Sequence, residues 1–427
     1  MYMTGKFVYG FDCTMEPLSD KEPVAKEEEQ RRIEFSFPML IMRTKLFGIV
    51  FDKLGKSRFS RYASWISLAI VPVVAAVGLF LILSSLFALL WNPALGEVAR
   101  QGGLGQYLLI PGINPYLPIV YGLFAIFVAM VVHEGAHGIA ARSLGLPVKS
   151  SGLLFFFILP IGAFVDVDEE ALKKANAKVS SRVFAAGVGT NVIVAAICLI
   201  AVLAVCSSLT PIINGVYIAE VAEGLPAEAA GLLQNDVFVT VDGVPINRMT
   251  DLNATLANKT AGDLVRVTVV RGNMWQDTFS TVVMLTESEN RTIMGISGFN
   301  LATEERLENY LTIDSAQKLS LYMVPPAVAP YVIPFSNEFA GFYSSPLGSR
   351  WVVVANTFFW LWFINVNLAI FNALPIYPLD GGRMFNIALK SAIRADKYQK
   401  LVFRITVAVT LAIILILMLT IIIPFIT

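Results

Sequence analysis

Pro118-Ile-Val-Tyr-Gly-Leu-Phe-Ala-Ile-Phe-Val-Ala-Met-Val-Val-His133-Glu134-Gly135-Ala136-His137 is a charge-free apolar run that ends in two histidines and a glutamate. Continued to Leu144, it is long enough to cross a bilayer, which takes roughly 20 predominantly apolar residues in a helix. Ionisable groups inside such a helix are costly and are retained mainly for function. Histidines four apart share one helix face and can both reach a zinc ion, while a glutamate beside the first can take a proton from water. His133 and His137 are the only two histidines of the chain. Two unrelated core histidines at this spacing, followed by Glu, would be a coincidence on the order of one in several thousand. The pattern reads as a metal site inside a membrane helix.

Composition agrees. Of 427 residues, 56% are hydrophobic and 15% charged, against about 25% charged in a soluble domain. The net charge is zero, so there is no basic field of the kind that attracts nucleic acid. Five charge-free stretches reach spanning length. They are Tyr62–Gly96, its helix ending near Trp91; Gln101–Val132, its helix starting near Pro118; Val183–Ala219, stopping near Ser207; Trp351–Leu379, broken near Pro375; and Ile405–Thr427. Gly152–Val165, with Phe155-Phe156-Phe157, Pro160 and Gly162, is too short to cross and reads as a re-entrant hairpin or loop. Leu319–Asn337 carries Pro325, Pro326, Pro330 and Pro334, which would break a spanning helix, and reads as interfacial. Cys198 and Cys206 share one apolar run, form no Cys-x-x-Cys pair with each other or with Cys13, and read as small lipid-compatible side chains. The first thirty residues are polar, so no cleavable signal peptide is expected and the first span directs insertion.

Orientation follows from Lys and Arg near the span ends. Arg43, Lys45, Lys53, Lys56, Arg58 and Arg61 precede the first span and place the N-terminus in the cytoplasm. Five crossings then put two further segments inside. One holds Arg142, Lys149, Lys173, Lys174, Lys178 and Arg182; the other holds Arg383, Lys390, Arg394, Lys397, Lys400 and Arg404. The count and the charges agree, so the membrane site lies near the cytoplasmic side.

Between spans three and four the character changes. Strand-like runs Val216–Ala219, Val237–Val241 and Leu264–Val270 alternate with turn signals at Asp242-Gly243 and Arg271-Gly272, and short helices are expected at 227–231 and 250–258. A small α+β domain outside the membrane is expected. Sequons at Asn253, Asn258 and Asn290 suit that location. The order Gly-Val-Tyr-Ile, Pro226-Ala227-Glu228-Ala229-Ala230-Gly231-Leu232, Asn235-Asp236-Val237, Val241-Asp242-Gly243 resembles PDZ domains of the type attached to proteases. Such domains bind extended chains by β-augmentation, which implies a peptide or substrate tail as a partner. A packing domain without a ligand is the bland alternative.

Zinc in a catalytic site takes a third protein ligand and leaves the fourth position open. With no further histidine, that ligand must be a carboxylate or thiolate from elsewhere. Asn372-Ala-Leu-Pro375-Ile-Tyr-Pro378-Leu379-Asp380-Gly381-Gly382 offers one at the cytoplasmic end of span four. Pro375 and Pro378 break the helix and Gly-Gly permits close backbone approach, so Asp380 can turn inward. On its own, Asp380 would read equally well as a turn residue at a membrane exit. Asp166, Asp168, Glu169 and Glu170 are the reserve carboxylates.

With these residues in place, the chain resembles the site-2 protease family of intramembrane zinc metalloproteases. The His-Glu-x-x-His helix, the Gly162-Ala163-Phe164 loop, the PDZ-like insert and the Asn-x-x-Pro-x-x-x-Leu-Asp-Gly segment occur in the family's order across roughly 118–383. The resemblance implies that His133, His137 and Asp380 hold Zn2+, that Glu134 is the catalytic base, and that Asn191 and Asn372 help position substrate backbone. Asn191 is placed in a Gly187–Asn191 turn of span three; a small-residue helix contact with an interhelical hydrogen bond explains both asparagines nearly as well. Membrane-spanning protein substrates, the lipid bilayer and regulated intramembrane proteolysis are further implications. A membrane zinc protease of the kind that trims prenylated proteins would instead take its third ligand from a downstream helical glutamate and carry no such insert. An inactive receptor or scaffold would have lost a motif residue, and none is missing. The expected fold is a polytopic α-helical membrane protein of about five spans with an inserted extracytoplasmic α+β PDZ-like domain. Its expected segments are an N-terminal cytoplasmic or interfacial stretch (1–61), spans one to three with the zinc helix and re-entrant loop (62–209), the insert (210–305), an interfacial linker (306–350), and spans four and five (351–427). Within the first, Phe35–Phe51 alternates apolar and basic residues as a membrane-surface segment does.

Overall fold

The computed structural model describes residues 33–44, 46–157, 159–272, 275–288, 291–393 and 398–426. The polar first thirty residues, Asn290, Lys45, Arg394 and Lys397 fall outside these ranges.

Among the described residues five helices are long and apolar enough to cross a membrane. These spans one to five are Arg58–Trp91, Ile119–Ser143, Ala177–Ser207, Trp351–Ala373 and Gln399–Ile426. Their ends are set by local chemistry. The Ser57 hydroxyl accepts from the Phe59 N–H and starts span one, and the Asn176 side chain accepts from Lys178 and starts span three. Span two stops at Gly145, whose φ of +77° suits only a residue without Cβ penalty. There the Leu146 N–H reaches back to the Ala141 carbonyl. Span three runs through 187–191 as unbroken helix, and Gly189 lets span one pack close against it. A Cβ on Gly189 would fall on Ser67 of span one. Cys198 and Cys206 are free and buried in the bundle core.

A four-stranded antiparallel sheet lies beside the bundle, in the order β1 (Ile33–Ser36), β2 (Met39–Arg43), β3 (Val148–Phe156), β4 (Leu159–Val167). The short apolar hairpin expected from Gly152–Val165 is therefore β3 and β4. The 35–51 stretch, expected to lie at the membrane surface, takes up regular structure against the rest of the chain. Its first part pairs with β3, Arg43 opposite Gly152 and Met39 opposite Phe156. Its second part is a helix, Leu46–Gly55, whose buried Phe51 fills the space above Gly138 of span two. Pairing partners more than a hundred residues away decide this, not the local alternation.

The region after span three is sheet-rich. Its main path runs Asp277–Met284, Leu264–Arg271, Val237–Val241, Val216–Val221, Ile296–Asn300, with Val244–Pro245 attached to the third strand. Strand alternation builds its core: Val265, Val267 and Val269 are fully buried while Leu264 is exposed. Asp242 and Gly243 both adopt positive φ and close the tight hairpin. Helices Pro226–Ala229 and Met249–Leu256 lie where the sequence places them. Trp275 stacks on Phe342 at 4.7 Å and Tyr217 meets the same ring edge-on at 5.4 Å, which joins this sheet to the segment leading into span four. In the proline-rich stretch no spanning helix forms; Tyr322, Ile333 and Phe335 are buried in the same core as span four.

Candidate metal centre

His133 and His137 sit one turn apart on span two, and both are buried, at 4% and 8% exposure. Asp380 reaches them from the far end of span four. After Ala373 the chain turns through 374–379 and re-enters a helix, Asp380–Ala392, with Asp380 as its first residue. Gly381 and Gly382 make that turn possible: a Cβ on either would collide with backbone of Ala373 or Ile376. Asp380 Oδ2 then stands 3.0 Å from His133 Nε2 and 3.2 Å from His137 Nε2. Among the described residues these three form a cluster whose donor atoms lie within 4.8 Å of one another.

The donor chemistry fits a metal cation. His137 Nδ1 lies 2.8 Å from the Val183 carbonyl, which accepts only from an N–H. This fixes the tautomer and leaves the Nε2 lone pair facing the carboxylate. A lone pair and a carboxylate oxygen at such a distance require a cation between them, a proton or a metal. Ligands at about 2.0–2.1 Å on a tetrahedral zinc stand roughly 3.3 Å apart, close to the 3.0 and 3.2 Å observed.

Glu134 follows His133 in span two. Its Oε2 accepts the backbone N–H of Val165 on β4 at 3.1 Å. Asn191 is fully buried on span three, and among the described residues neither its Oδ1 nor its Nδ2 has a hydrogen-bond partner. Asn372 is half-buried and its Nδ2 donates to the Leu368 carbonyl of its own helix at 3.2 Å; it is not brought to the cluster by any contact. Asp168 is occupied elsewhere: it caps the Glu169–Lys174 helix through Ala171 and pairs with Lys149 at 3.2 Å.

Sequence reasoning missed Gly187. A Cβ built there would stand 2.7 Å from Nε2 of both histidines, in the space a metal and water need. Asn191 follows four residues later on the same helix face, whereas Gly189 turns about 200° away towards span one. We expect Gly187→Ala to lower zinc content at least tenfold while Gly135→Ala, which meets nothing within 4 Å, leaves it unchanged; metal analysis of the purified variants checks this.

The chain is similar to known proteins over most of its length. The model of peptidase family M50 matches residues 121–413. An uncharacterized protein of Methanocaldococcus jannaschii is 27% identical over 81% of this chain and 76% of its own length. The membrane metalloprotease ARASP of Arabidopsis thaliana chloroplasts is 27% identical over 63% of this chain and 69% of its own. The zinc metalloprotease RasP of Shouchella clausii is 25% identical over 39% and 41%.

Proposed function

Because the chain belongs to peptidase family M50, the site-2 protease family, and is a membrane zinc metalloprotease, we propose that it cuts membrane-spanning protein segments in regulated intramembrane proteolysis. His133, His137 and Asp380 hold the zinc. When bound, zinc supplies a Lewis acid that polarises the scissile carbonyl and eases deprotonation of water. Glu134 takes that proton and returns it to the leaving amine. Asn191 offers its unspent amide to the substrate backbone, and Asn372 joins it by giving up its bond to Leu368.

The observation that carries this reading is the Val165 N–H bonded to Glu134. Among the described residues β4 pairs only with β3, and Val165 on its other edge meets the carboxylate. A substrate strand added to that edge brings its backbone beside the histidines. An intact helix cannot do this, because its carbonyls are spent on its own hydrogen bonds. In vesicles holding the purified protein, a single-span substrate with Asn-Gly or Pro inside its span should be cut at least tenfold faster than one with an unbroken Leu-rich span. Equal rates would remove the need for an unwound strand.

The basic residues before span one and after spans two and four support a cytoplasmic N-terminus and a site towards the cytoplasmic side. The insert then lies outside the membrane, where its PDZ-like order of elements suits capture of an extended tail. Cysteines replacing Asn253 and Lys174 should label from opposite faces; labelling from one face would reverse the arrangement.

A further inference from the structure

A cavity of about 920 Å³ opens where the ends of spans one, two and three meet the Leu46–Gly55 helix, and Lys56, Arg61, Arg142 and Arg182 line it. Asp52 is the one acidic side chain in the lining. It pairs with Arg142 at 3.2 Å, which leaves a net three positive charges. The partial negative helix ends at Gly55 and Ser143, about half a charge each, do not cancel them.

Arg182 makes this a built site and not a solvated rim. It is 7% exposed, lies over the Trp65 ring at 4.5 Å, and donates through Nε and Nη2 to Ser64 and through Nη2 to the Arg61 carbonyl. Its Nη1 has no protein partner among the described residues. A guanidinium fixed on two sides and open on the third is a fork for an oxyanion. The cavity sits where charged ends give way to the apolar runs of the spans. Exposed Tyr62 and Ile66 continue from it along span one. Basic pockets between spanning helices at this depth suit anionic lipid headgroups.

We propose that this cavity binds an anionic phosphate group, carried by a phospholipid headgroup or by a free phosphate, and thereby ties spans one, two and three together at one membrane surface. The inference is independent of the substrate reading above, because it concerns residues outside the metal cluster.

The test uses the full chain in nanodiscs. Retention of phosphatidylglycerol against phosphatidylcholine is measured by native mass spectrometry, and inorganic phosphate is supplied separately as the competitor. Each Lys or Arg near a membrane surface contributes about fivefold, so Lys56→Gln with Arg61→Gln should weaken phosphatidylglycerol retention about thirtyfold while zinc content stays at the parent level. Lys173→Gln with Lys174→Gln, which removes the same charge from an exposed helix, should leave retention unchanged. Failure of millimolar inorganic phosphate to displace the lipid supports the headgroup. Stabilisation by inorganic phosphate in pure phosphatidylcholine, lost in the Lys56/Arg61 variant, supports a free phosphate. Equal retention in parent and variant together with no effect of inorganic phosphate, or an equal loss in the Lys173/Lys174 control, overturns the site.

Discussion

Exchange of Glu134 for Gln is expected to stop peptide-bond hydrolysis while zinc stays at about one per chain. Proton transfer by a positioned side chain contributes about 10²–10⁴-fold to rate, and Gln cannot take a proton from water. The exchange is otherwise quiet. The Gln carbonyl oxygen can still accept the Val165 N–H that Glu134 holds at 3.1 Å, so β4 keeps its place against span two. No zinc ligand is touched, because the cluster consists of His133, His137 and Asp380. Cleavage of a single-span substrate and metal analysis on the same preparation separate the outcomes. Loss of zinc would place Glu134 among the ligands, and retained cleavage would assign the base elsewhere. Glu134→Ala should be worse in one respect: it also leaves the Val165 N–H without its acceptor, so β4 loses a contact to span two.

The spans were legible because a bilayer allows few sequences: charge-free runs of spanning length appear as five helices among the described residues. Boundaries were less legible where charge and helix overlap. Span three begins at Ala177, ahead of the apolar run at Val183, because Asn176 caps it and Ser64 with the Arg61 carbonyl satisfies Arg182. Counted as a surface charge by position, Arg182 is buried by partners more than a hundred residues away. The β1–β2 hairpin was hidden for the same reason, since β3 supplies its pairing. At the site, His133 and His137 announced themselves by spacing, and Asp380 by the Pro and Gly residues around it. Gly187 gave no such signal: a glycine in a membrane helix ordinarily marks helix contact, and only the positions of two Nε2 atoms assign it to the metal space.

Asp380→Asn should cost zinc affinity more than the ~10–100-fold that follows loss of a hydrogen-bond partner behind a ligand, because here the anionic ligand itself goes. Asn keeps the shape, so the turn held by Gly381 and Gly382 against Ala373 and Ile376 is unaffected. What changes is charge. Two imidazoles remain, one short of the three protein ligands a catalytic zinc keeps, and a neutral amide oxygen is a poor replacement for a carboxylate 3.0 and 3.2 Å from them. Zinc content after dialysis and cleavage should fall together, and the helical circular dichroism and melting profile should match the parent. Asp380→Glu, which restores the charge on a longer arm, should recover part of the metal. Full zinc in Asp380→Asn would return the search to the other carboxylates. The structure makes that outcome costly: Asp168 is already committed to Ala171 and Lys149, and Glu169 and Glu170 pair with Lys173 and Lys174 on an exposed helix. Of the reserve carboxylates that leaves Asp166, which follows Val165 on β4 beside the Glu134 contact.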